Sequence, residues 1–166
     1  MDRKKIEERA DKILNAYNYN DGADDYVDAV RLACHFGFAV NETDKMQAQE
    51  DGCITVTDKG EMNIIVNNNR NFESKRFIIT HELSHYFLHY QNTDNFFMHR
   101  ENIKGKDLEE NDADYLAACL LMPKKSFRVA YGIIKGKYSN EKIAVELQKI
   151  FRTPLESIER RIKEIC

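Results

Sequence analysis

Proline and glycine are scarce, with 2 and 7 in 166 residues, and tryptophan is absent. So little punctuation excludes a Pro/Gly-rich disordered chain and favours regular, mainly helical segments on short connections. The four cysteines, Cys34, Cys53, Cys119 and Cys166, form no CxxC pair. That excludes a zinc ribbon or a disulfide scaffold, and the first three fall on apolar faces as reduced core thiols. No excess of one charge exists either: 25 basic against 28 acidic residues leave −3, so no global field recruits nucleic acid or acidic lipid. The longest apolar run, Leu116 to Met122, is far short of the roughly 20 residues that span a bilayer. The opening MDRKKIEERADKIL is too charged for a signal peptide. These absences lead to the expectation of a cytoplasmic protein with no membrane or direct nucleic-acid partner.

What is present suits one domain over residues 1–166: 42% hydrophobic residues, 10% aromatics and no linker or repeat. Ile6, Ala10, Ile13, Leu14 and Tyr17 mark a first helix, and Tyr26, Val27, Val30, Ala33 and Cys34 a second. Phe38 to Val40, Gly52 to Thr57 and Met62 to Val66 read as short strands of a small antiparallel sheet. Residues 1–72 thus hold two helices and a sheet. Helical spacing returns from Glu73 to His89 and from near Asp107 to the stop at Pro123. After that, residues 123–166 carry a segment over Lys124 to Ile134, a helix from the N-cap Ser139 through Phe151, and a last one opened by Pro154 with Leu155, Ile158, Ile162 and Ile165 inward. The fold class is therefore α+β, mainly helical, with the small sheet packed beside the helix of residues 73–89.

That helix contains Thr80-His81-Glu82-Leu83-Ser84-His85, an HExxH sequence. Four residues advance a helix by about 6 Å and 400°, so the two imidazoles stand one turn apart on one face and can share a tetrahedral ion. Glu82 follows the first of them, beside the metal yet free to take a proton from water. In a shuffled chain with five histidines the motif arises on the order of once in a hundred; here it also lies between apolar helical turns, as the chemistry requires. The expectation is zinc, with manganese as an alternative ion, and hydrolysis of an amide.

A catalytic zinc site needs a third protein ligand and an open position. His89 extends the series by another turn and reads as a packing residue, because an ion between His81 and His85 is already bracketed. The metzincin spacing fails, with Leu88 where Gly is needed and Gln91 where the third His belongs. The acidic start of the next helix, Asp107, Glu109, Glu110, Asp112 and Asp114, is the better source. Glu110 lies three, seven and ten residues before Ala113, Ala117 and Leu120 and so continues a buried stripe, which favours it, but Glu109 fits almost as well and spacing leaves both open. Asp114, one turn past Glu110, is placed to accept the other ring N–H of a ligating histidine. This is a gluzincin-like logic. Tyr86, His99 and Tyr131 are candidate oxyanion donors, and the loop Gln91 to Lys106 should border the cleft.

Together, RFIITHELSHYFLH (Arg76 to His89) and EENDADYLAACLLMP (Glu109 to Pro123) resemble the ImmA/IrrE metallopeptidases. LACHFGFAV and the C-terminal IAVELQKIFRTPLESIERRIKEI extend the likeness to about three-quarters of the chain. The resemblance implies zinc on His81, His85 and Glu110, Glu82 as general base and Asp114 behind the ligands. It also implies a protein substrate, a helix-turn-helix repressor cut at one site so that repression is relieved. Asp112 and Leu116 depart from the family's usual Glu and Phe. Two other readings stand beside it: a zinc-bound module that binds a repressor without cutting it, and a DNA-binding accessory protein. Against the second, the C-terminal helix pair uses its inward residues for packing, and Arg152, Arg160 and Arg161 are offset by Glu156 and Glu159.

Overall fold

The computed structural model describes residues 1–20, 26–57, 59–90 and 106–166. Two helices open it. Asp2 caps α1 (Arg3–Ala16), which buries Ile6, Ala10, Ile13 and Leu14. Asp28 accepts from the amides of Val30 and Arg31 to start α2 (Ala29–His35). Gly37, at φ 89°, then turns the chain into the sheet.

The three strands are β1 (Phe38–Thr43), β2 (Gly52–Val56) and β3 (Met62–Asn67), in the order β1-β3-β2. The antiparallel expectation holds for the β2–β3 hairpin, where Ile54 faces Ile64. It is corrected at β1, which runs parallel to β3 with Val40 opposite Ile64. The sheet is therefore mixed. β3 carries Ile64 and Val66, both without solvent exposure, and the strand that buries most is best placed in the centre, where both of its edges are paired. That choice leaves β2 at an edge.

Next come α3 (Phe72–His85), capped by Asn71, and a single π-helical turn, Tyr86–Tyr90. The expected helix to His89 thus widens at its last turn. Helix α4 (Lys106–Leu121) is followed by α5 (Lys124–Lys135), α6 (Asn140–Phe151) and α7 (Leu155–Ile165). From Tyr115 to Met122 every residue of α4 and its end is buried, as befits a helix packed on several sides. It lies against α1 and α3. Glu7 of α1 accepts from the Tyr115 hydroxyl and from Lys124, both at 2.9 Å, joining α1 to α4 and α5.

Several expectations fail at the surface. Cys34 is exposed and Cys53 half-buried, leaving only Cys119 in the core. Leu155, expected inward, is 37% exposed. Conversely, a charged residue of α7, Arg161, is only 1% exposed. Its Nε and Nη2 donate to the carbonyl of Met122 at 3.3 and 3.2 Å, and Nη1 lies 3.5 Å from Glu164. A long side chain that can satisfy a helix-end carbonyl is accepted inside where a lone charge would not be.

Candidate metal centre

Helix α3 sets His81 and His85 one turn apart with their rings edge-on, centroids 4.7 Å apart. α4 crosses beside it and supplies a carboxylate. The Nε2 atoms of the two histidines are 3.0 Å apart, and Glu110 Oε2 lies 3.1 Å from that of His81 and 3.4 Å from that of His85. Three donors of the zinc-binding kind thus meet at one point. Ligands about 2.0–2.1 Å from a tetrahedral zinc are separated by about 3.3 Å, so the triangle has the right size as well as the right chemistry.

The electrostatics suit a cation. Burial opposes a charge on His81, but hydrogen bonds to Asp114 and Glu110 outweigh it and hold its pKa up at about 9. For His85, burial and the adjacent His81 push the pKa down to about 4. The Glu110 carboxyl is held down at about 2, chiefly by its bond to His81, against partial burial. One positive charge, and not two, is stabilised among these groups. Asp114 Oδ1 lies 2.9 Å from His81 Nδ1, leaving Nε2 turned toward the other donors. This is the carboxylate–histidine arrangement that orients imidazoles in metal sites.

Glu82 is 5% exposed and is not one of the three converging donors. It sits on the floor of a cleft of about 800 Å³ that the triad and Asp114 also line. The β2 edge forms one wall. At Gly52 an added Cβ would come within 2.6 Å of Ile78 Cγ2 and 3.0 Å of the Ile65 carbonyl, and 3.8 Å from Glu82 Cγ. Glycine therefore lets the edge strand lie directly on α3 above Glu82. Gly52→Ala is expected to destabilise the fold by about 1–3 kcal/mol through overpacking, read by thermal denaturation; an unchanged Tm would show that β2 lifts off at no cost.

Residues 33–163 match the profile of a peptidase family described as the IrrE N-terminal-like domain. The chain belongs to the ImmA/IrrE metallopeptidase family. Metallopeptidase ImmA of Bacillus subtilis (strain 168) is 33% identical over 87 residues, which are 52% of this chain and 50% of that protein. The chain thus spans about half the length of the curated relative it matches. A Mycobacterium tuberculosis transcriptional regulator shares the fold, with a TM-score of 0.63 and 14% identity over 96% of this chain and 46% of that one. The family implies a bound metal, and the donor triangle is where this ImmA/IrrE chain offers one a place.

The other candidates are placed elsewhere. Glu109 lines the cleft but is not in the triangle, because its neighbour takes the inward position on α4. His89 is not a converging donor; its ring centroid is 5.7 Å from that of His85, and its Nε2 is buried without a hydrogen-bond partner. Tyr86 packs edge-on against Phe38, and Tyr131 lies within 5.4 Å of Lys135; neither is among the residues lining the cleft. His99 and the loop from Gln91 lie outside the described residues. Tyr90, Glu50 and Asp51 do line the cleft and had no signal in the sequence, since the π turn and the fold of the β1–β2 connection bring them there. No described helix is long and apolar enough to cross a membrane.

Proposed function

We propose that this chain is a zinc-dependent endopeptidase that cuts a protein at one site, with His81, His85 and Glu110 as ligands and Glu82 as general base. The observation that carries the reading is the convergence of three donors beside a carboxylate that is not one of them, in one cleft. When bound, zinc supplies a Lewis acid that makes water acidic near neutral pH and draws electrons from a peptide carbonyl. Glu82 takes a proton from the attacking water on a carboxylate oxygen and returns it to the leaving amine. Asp114 keeps the His81 ring in the tautomer that leaves Nε2 for the metal.

The sheet supports an extended substrate. The Asn67 amide donates to the Asp51 carbonyl and the Thr57 amide to that of Glu61. In this register Cys53 and Thr55 are then the residues that bond to β3. The backbone groups of Gly52, Ile54 and Val56 consequently face the outer edge of β2, and among the described residues no strand pairs there. A peptide laid along this edge would add a strand beside the cleft that Gly52, Ile54 and Glu82 line together.

The substrate we infer is a helix-turn-helix repressor, whose cleavage relieves repression. The family resemblance supports this reading, and the M. tuberculosis fold neighbour is itself described as a transcriptional regulator. Purified chain with zinc or manganese, mixed with a helix-turn-helix repressor from the same genome, is expected to yield one discrete pair of fragments by mass spectrometry. An intact repressor under both metals would favour the module that binds without cutting.

A further inference from the structure

We propose that Arg160, on the last helix, is a positioning residue for the metal centre, acting through Asp114. The inference rests on the reading of His81, His85 and Glu110 as metal ligands. Asp114 divides its two oxygens between two partners: Oδ1 lies 2.9 Å from His81 Nδ1, and Oδ2 accepts from Arg160 Nη1 at 3.3 Å. A carboxylate held at one oxygen still turns easily about its last side-chain bond, whose energy profile is broad. A second partner on the opposite oxygen removes that freedom and fixes the direction in which the His81 ring is held. The point matters here because the Asp114 side chain is 31% exposed, so water would otherwise compete for the same oxygen.

Arg160 is delivered to this place by contacts that do not involve Asp114. The adjacent Arg161 is buried and anchors α7 to the Met122 carbonyl at the end of α4, with its guanidinium 5.7 Å from the centre of the Tyr115 ring. Tyr115 follows Asp114 directly. Neighbouring arginines thus tie α7 to one helix, Arg161 for packing and Arg160 for the site. Arg160 itself is half-exposed, with Glu156 one turn away at 3.8 Å. An exposed pair of this kind contributes little to folding, which separates an effect on the metal from an effect on stability.

Removing the carboxylate behind a ligating histidine typically weakens metal binding about 10- to 100-fold; removing only the group that steadies this carboxylate should give part of that loss. The test uses the full chain stripped of metal and titrated with Co²⁺ against a chromophoric chelator. Arg160→Met is expected to weaken binding about three- to tenfold and to shift the visible bands of the cobalt protein, with Arg160→Lys recovering part of the affinity. In an Asp114→Asn background the same substitution should cause no further loss, because the link is already broken. The Tm of the metal-free Arg160→Met variant should stay within about 2 °C of the wild type. Unchanged affinity, or an equal loss in both backgrounds, overturns the proposal. If instead the unaltered chain binds no Co²⁺, the ligand assignment itself fails, and this link falls with it.

Discussion

Glu82→Gln is expected to leave metal affinity unchanged and to slow peptide hydrolysis by at least about a hundredfold, since general-base catalysis contributes roughly 10²–10⁴. Glutamine has nearly the same shape, so the crowded floor of the cleft, where Glu82 lies under Gly52 and is 5% exposed, keeps its packing. Affinity should survive because Glu82 is not one of the three converging donors. What disappears is the ability to accept a proton and hand it on. Measured together, cobalt titration and fragment yield separate the two effects. Turnover equal to the wild type would remove Glu82 from the mechanism. Relief of repression that persists without cutting would instead support the module that binds and does not cleave.

Arg76→Met is expected to cost about 3–5 kcal/mol, lowering Tm by roughly 10 °C or more in a chain of this size. Arg76 begins the segment that resembles the family, yet its role is mechanical. Only 4% exposed, it donates through Nη1 to the carbonyls of Phe151 and Arg152, at 3.0 and 2.6 Å, and through Nη2 to that of Val27. Its guanidinium also stacks 4.5 Å from the centre of the Tyr26 ring. Arg152 is the left-handed corner between α6 and α7, with φ 53° and ψ 46°, a conformation that costs a non-glycine residue free energy. Methionine fills similar space but leaves three carbonyls without this donor. Lysine should recover only part of the loss, because one ammonium cannot reproduce the guanidinium fork. Chemical and thermal denaturation of the metal-free variants measure both losses; a Tm within 2–3 °C of the wild type would mean that water replaces the arginine at little cost.

Most helices were legible because their determinants are local. Apolar residues at three- and four-residue spacing placed α1, α3, α4, α6 and α7 within a few residues, Pro123 and Pro154 marked boundaries that the structure keeps, and the segment over Lys124 to Ile134, ambiguous in sequence, is helix α5. α2 was shortened at its start, as Asp28 caps it later than the apolar pattern suggested. β1 misled because a strand's own pattern does not state its partner. Only when β3, with Ile64 and Val66, takes the centre does β1 become its parallel neighbour. Arg161 misled for a similar reason: its charge reads as surface until the Met122 carbonyl is brought against it.

The sequence by itself determined the pairing of His81 with His85 and the place of Glu82 beside them, because one helical turn is a local geometry that any stable helix reproduces. Spacing alone narrowed the third donor to Glu109 or Glu110 on the next amphipathic helix, favouring Glu110, which the family resemblance also implied. Which member of that pair meets the histidines, Glu110 at 3.1 Å from His81 and not Glu109, was decided by the rotation of α4 against α3. The same holds for the edge position of β2, unpaired among the described residues, and for Arg160 behind Asp114. Each depends on how separate elements pack, and packing is a property of the whole core that no stretch of sequence carries alone.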